Sequence, residues 1–174
     1  FLNAPSGWNS SIITQFRFDG YKLGEYYELT DPGSGSGLDM TISSYYEKKL
    51  PFVTYYWEPT WLLGSYEMVK LEEVPYDESV WNEEGKYLCS YPEPIVKILA
   101  NKEFTEKEGN KEVVGVLSKY TVEASIMNQI LSKAQESGDS EYSKTIKEFM
   151  KSNRWWEEFI SEEALTKVNE YLKG

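Results

Sequence analysis

The 174-residue sequence has no histidine, only one cysteine (Cys89), and no proline after Pro94. Without imidazole, neither a Ser-His-Asp or Cys-His nucleophile system nor an HExxH zinc site can be assembled. One thiol supplies neither an internal disulfide nor a cysteine cluster for a metal. Basic charge is scarce too: 18 Lys+Arg against 29 Asp+Glu leave a formal net charge of −11. Phosphate-backbone recognition calls for a basic patch, so nucleic acid is not an expected partner. No apolar run reaches the length of a membrane span, and none is expected in this chain. The chain starts at Phe1 rather than Met, as expected of a mature product or an excised fragment. Rings, by contrast, are abundant: 6 Trp, 14 Tyr and 7 Phe. The length suits one domain or a small two-lobed protein with a real core.

The chain changes character near residue 100. All 7 prolines lie before it, among turn signals such as Asp31-Pro32-Gly33-Ser34-Gly35 and Tyr91-Pro92-Glu93-Pro94. The pattern there predicts helices over about 10–21 and 36–48. Tyr26 to Leu29 and the β-branched, aromatic run Pro51 to Trp57 read as strands, with weaker strands at 68–74 and 95–100. Beyond residue 100, apolar residues recur at helical spacing. Val113, Leu117 and Tyr120 form one stripe. Met127, Ile130, Leu131 and Ala134 form another, with Thr121 as its cap and Gly138 as its end. Tyr142, Ile146, Phe149 and Met150 form a third, and Ser161-Glu162-Glu163 opens the last helix. The expected fold is therefore α/β. Residues 1–99 would form a ligand-binding lobe, and residues 100–174 a helical segment completing it or packing on it.

Two places have unusual local chemistry. Tyr55-Tyr56-Trp57-Glu58-Pro59-Thr60-Trp61 sets large rings on an extended run that Pro59 stops. Strand alternation puts Tyr55 and Trp57 on one side and Tyr56 on the other. It leaves Trp57 at the strand end, where open α/β folds bind ligands. Ordinary core or rim packing is the alternative for these rings. The second place is Gly7-Trp8-Asn9-Ser10-Ser11, a loop entering a predicted helix. Asn9 or Ser10 is an ordinary N-cap. The unpaired N–H groups of a first helical turn also bind carboxylates, and a ring face beside them attracts a quaternary ammonium. Together they suit a small zwitterion. Gly33-Ser34-Gly35-Ser36-Gly37 lacks the Lys-Ser/Thr ending of a phosphate loop and reads as a turn before a helix.

This order of residues resembles the glycine betaine/proline/choline substrate-binding proteins of ABC importers. It comprises Gly7-Trp8-Asn9-Ser10, Asp31-Pro32-Gly33-Ser34-Gly35, Tyr55 through Gly64, and Val69-Lys70-Leu71-Glu72-Glu73. The resemblance implies one lobe of a type II periplasmic-binding-protein fold, a central mixed sheet flanked by helices, in a fragment lacking most of the first lobe. It implies that Trp8 and Trp57 belong to an aromatic cage for a trimethylammonium group, with Tyr56 or Trp61 assisting. It also implies that Asn9 and Ser10 give backbone N–H groups to a ligand carboxylate. Glycine betaine, choline, carnitine and proline betaine are the implied ligands, an ABC permease the implied partner, and the outer face of the cell membrane or the periplasm the implied location.

A carbohydrate-binding module or sugar-specific receptor is the alternative, since sugars also stack on Tyr and Trp faces. It leaves the helix-terminus donors beside Trp8 unexplained. The doublets Glu72-Glu73, Glu83-Glu84, Glu157-Glu158 and Glu162-Glu163 permit a paired-carboxylate enzyme. Adjacent residues point apart, however, so the doublets read as solvated faces. No catalytic residue, cofactor or metal ligand is expected. Trp155-Trp156 beside Arg154 reads as an anchor for the C-terminal helices.

Overall fold

The computed structural model describes residues 1–173. The described chain divides into two compact units. The first comprises Phe1–Glu58 and Tyr66–Pro94; the second comprises Pro59–Ser65 and the chain from Ile95 onward.

In the first unit, α1 (Asn9–Gly20) and α2 (Gly35–Glu47) are the two helices that the pattern predicts. α1 buries Ile13, Thr14 and Phe18, and α2 buries Leu38 and Ile42 one turn apart. Ser34 caps α2 by accepting a 3.0 Å hydrogen bond from the Gly37 amide, so the glycine-rich stretch is the turn before a helix that its composition predicts. Leu2, Ala4 and Cys89 complete this core. Leu2 sits between two extended segments. Its N–H donates to Val53 O and its carbonyl accepts from the Tyr55 N–H, both at 2.9 Å, and the Asn3 N–H donates to Thr30 O at 2.9 Å.

These contacts correct the expected fold class. The chain is predominantly helical. Among the described residues Leu2 makes isolated parallel bridges with Thr30 and Thr54, and no sheet forms. The α/β lobe with a central mixed sheet is therefore not what the described chain adopts. The reason lies in pairing rather than propensity. Pro5 and Pro32 follow two of the bridged segments, and Pro51 and Pro59 flank the third, so the pairing ends after one bridge on each side. The segments 68–74 and 95–100, rich in Val, Ile and Leu, form neither helix nor strand ladder among the described residues. β propensity describes how well a residue fits a pleated surface; it cannot supply the neighbouring backbone.

The second unit is helical: α3 (Trp61–Ser65), α4 (Lys102–Glu106), α5 (Lys111–Lys119), α6 (Ala124–Ser137), α7 (Ser143–Ser152) and α8 (Glu162–Lys173). Short α3 was not expected, because Pro59 reads as a stop; it packs on α6 through buried Leu62. The cap of α6 is Glu123 rather than Thr121, and Gly138 ends the helix at φ 68°, the left-handed conformation that favours glycine. Trp156, Phe159 and Leu172 form a buried cluster joined by Met150, Trp155, Leu165 and Val168, which is the anchoring role read for the tryptophan pair. The Trp156 Nε1–H donates to Met150 O at 3.1 Å, so this indole also has its polar edge satisfied.

Candidate functional site

The start of α1 is built by backbone. Gly7 adopts φ 91°, and the Trp8 N–H closes a turn onto Pro5 O at 3.1 Å. Trp8 is the N-cap, with extended φ −87° and ψ 143° and no side-chain cap. The reading of Asn9 or Ser10 as the N-cap is thereby corrected: they are the first two residues inside the helix. An indole cannot accept from the first-turn amides as a Ser or Asp oxygen does. The Asn9 and Ser10 N–H groups lie in the turn where a helix has no carbonyl to offer them. The first turn contains no acidic side chain to complement the positive end of the helix.

Against this terminus stands a group of rings. The Trp8 and Trp57 centroids are 5.3 Å apart with planes at 62°, and the two residues are 39% and 38% exposed. Tyr56 lies 4.5 Å from Trp57 at 34°, and Tyr55 lies 6.3 Å from it. Strand alternation would have placed Tyr56 on the face opposite Trp57. With no ladder beyond Thr54, the backbone is free of that constraint and the adjacent rings meet. The Tyr56 hydroxyl donates to Asp39 Oδ1 of α2 at 2.7 Å. The Trp8 ring packs over the first residue of α2: a Cβ at Gly35 would stand 3.5 Å from Trp8 Cζ2. Trp8, Asn9, Ser10, Tyr56 and Trp57 all belong to the first unit, whereas Trp61 opens α3 in the second.

Two interactions brace this region. Asp31 accepts from the Ser6 hydroxyl and, at 2.8 Å, from the Gly33 N–H, tying the loop before α1 to the turn before α2. The Ser6 hydroxyl, foremost, holds the Asp31 carboxyl below its ordinary value. Arg17 of α1 pairs with Glu73 at 2.8 Å and donates to the carbonyls of Tyr87 and Cys89. Its guanidinium lies 5.0 Å from the Tyr91 ring centroid and 5.9 Å from that of Trp81. Tyr91 in turn touches Tyr55 at 6.4 Å. The sequence marked Tyr91 only as part of a turn and left Arg17 unnoticed, because its carbonyl partners are 70 and 72 residues away.

Burial, foremost, pushes the Tyr91 hydroxyl up from 10.0 to about 12. The folded state favours the neutral phenol. Its contribution to stability is thus fully present below pH 10 and is lost as pH rises toward 12. Tyr91→Phe should flatten the fall of stability across that window in urea titrations; an unchanged alkaline dependence would refute the assignment.

A depression of about 550 Å³ runs along α1, lined by Ser11, Ile12, Gln15, Phe16, Asp19 and Asp31 among others. It does not include the Trp8–Trp57 pair. Among the described residues no group of three or more His, Cys, Asp or Glu is placed to hold a metal ion. Of the glutamate doublets, seven residues are exposed and Glu157 is half-buried, as expected of solvated faces.

What the first unit presents at the α1 terminus is recognition chemistry, ring faces beside backbone donors. The chain is a substrate-binding component of ABC-type transport. It belongs to the family described as the substrate binding domain of ABC-type glycine betaine transport system, whose model matches residues 1–152. The family resemblance drawn from the Gly7–Ser10 and Tyr55–Gly64 motifs is confirmed by that match. No curated protein and no solved structure matches the chain. The family is one of transport binding domains rather than enzymes, and membership carries with it a small ligand and a transporter permease as partners. No helix among the described residues is long and apolar enough to cross a membrane.

Proposed function

We propose that the chain binds the trimethylammonium group of an osmoprotectant against Trp8 and Trp57, with Tyr56 closing one side. The Asn9 and Ser10 amides receive the ligand carboxylate. The observation that carries this reading is the Trp8–Trp57 pair: two partly exposed rings inclined at 62° at the start of a helix without a side-chain cap. Inclined faces make a corner that offers a cation two ring quadrupoles at once. The amides beside it supply positive potential for the opposite end of a zwitterion. Glycine betaine fits both halves, as do proline betaine and carnitine; choline fits the first. No bond is made or broken. The loaded protein, on the extracytoplasmic side of the membrane, hands its ligand to the permease.

Calorimetry with glycine betaine, proline betaine, carnitine, choline and a set of simple sugars tests this. Heat is expected from the quaternary ammonium compounds and none from the sugars. A sugar response without an ammonium response would replace this reading with a carbohydrate receptor.

A further inference from the structure

We propose that Arg17 is a positioning residue for the aromatic site, setting the inclination of Trp57 through Tyr91 and Tyr55. The inference rests on the assignment of Trp8 and Trp57 as the ammonium site. Trp57 has little backbone support: its segment bridges Leu2 at Thr54 and, among the described residues, makes no ladder beyond it. Rings hold it instead. Tyr55 lies 6.3 Å from Trp57, and Tyr91 lies 6.4 Å from Tyr55. Tyr91 is fastened to α1 at two points one turn apart. Its hydroxyl hydrogen-bonds to the Thr14 side chain, and its ring lies 5.0 Å from the Arg17 guanidinium. Arg17 is itself fixed, because Nε donates to Tyr87 O at 2.8 Å and Nη2 donates to Cys89 O and pairs with Glu73. At 13% side-chain exposure the guanidinium is largely desolvated, where contact with a ring is stronger than at the surface.

α1 therefore governs both walls of the corner. It carries Trp8 directly at its N-cap and reaches Trp57 through Arg17, Tyr91 and Tyr55. Walls fixed before the ligand arrives spare it the cost of ordering them. Without Arg17, Tyr91 loses the cation that fixes its plane, and Tyr55 and Trp57 lose their backing in turn. Affinity then falls for every ligand of the corner, whatever its charge. A direct action of the Arg17 charge would do the opposite for choline, since removing a positive charge favours a cation.

The test measures glycine betaine and choline binding by calorimetry, beside a thermal melt, in the unsubstituted protein and a set of variants. Arg17→Ala and Tyr91→Leu should each weaken both ligands roughly fivefold, and the double variant by about the same rather than by about 25-fold, because the two side chains act in series. Guanidinium chloride at millimolar concentration, against an equal concentration of sodium chloride, should recover affinity in Arg17→Ala and not in the double variant. Arg17→Lys keeps the charge without the planar fork and should weaken both ligands by about twofold. If Arg17→Ala fails to fold, Tyr91→Leu, which leaves Glu73 and both carbonyls on Arg17, decides together with Arg17→Lys. Unchanged affinity in these two variants, multiplied losses in the double variant, or tighter choline binding in Arg17→Ala would overturn the proposal. Trp57→Ala separates the two levels. Loss of both ligands there, with the Arg17 and Tyr91 variants unaffected, upholds the aromatic site and overturns this inference alone. Retention of both in Trp57→Ala, or no binding by the unsubstituted protein, would remove the site and this inference with it.

Discussion

Trp57→Ala is expected to weaken glycine betaine binding by about tenfold or more, the equivalent of about 1.4 kcal/mol. Three losses combine. The cation loses a ring face contributing between about 0.5 kcal/mol at an exposed site and about 2 kcal/mol when desolvated. Trp8 loses the partner at 5.3 Å that sets its inclination, and Tyr56 loses its neighbour at 4.5 Å. The remaining wall is therefore less ordered as well as smaller. Trp57 is 38% exposed, so the truncation costs less folding free energy than it would in the core, and affinity and stability can be read separately. Trp57→Phe, which keeps a ring face of smaller area, should fall between the two. Calorimetry beside a thermal melt is the measurement. Unchanged betaine affinity in a folded Trp57→Ala protein would exclude Trp57 from the site.

The helices and the aromatic pair were legible in the sequence because each rests on local information. Leu38 and Ile42 on α2 declare a buried face through spacing alone. Trp8 and Trp57 stood out by their placement beside a helix start and a proline stop. The sheet was misread because a strand depends on a partner. Val69, Leu71, Ile95 and Val96 have the side chains of strand residues, yet they are exposed and unladdered. The cap of α1 was misread for a related reason: Asn9 and Ser10 have good capping side chains, but the turn from Pro5 to Trp8 places the helix start one residue earlier. Arg17 and Tyr91 carry no local signal, since their roles depend on distant partners such as Glu73 and Tyr55.

Gly64→Ala should destabilise the second unit by about 3 kcal/mol, the upper end of the cost of forcing extra atoms into a packed contact. A Cβ built on Gly64 would fall 2.2 Å from the Asn128 carbonyl oxygen and 2.7 Å from its carbon. Both are backbone atoms of α6 and cannot rotate away. The approach is fixed on either side of the glycine. The Thr60 N–H donates to Asn128 Oδ1 at 2.7 Å, and the Ser65 and Ser132 hydroxyls are 2.8 Å apart. Leu62 is fully buried between these contacts, so α3 cannot shift outward without uncovering it. Helix propensity works the other way, since alanine is preferred over glycine in a helix by about 1 kcal/mol. Gly115 isolates that opposing effect: it lies within α5 and a Cβ there meets nothing within 4 Å. Gly115→Ala should therefore hold or raise the urea midpoint while Gly64→Ala lowers it. If both variants are equally stabilised, α3 and α6 do not pack at the distance that the Gly64–Asn128 contact requires.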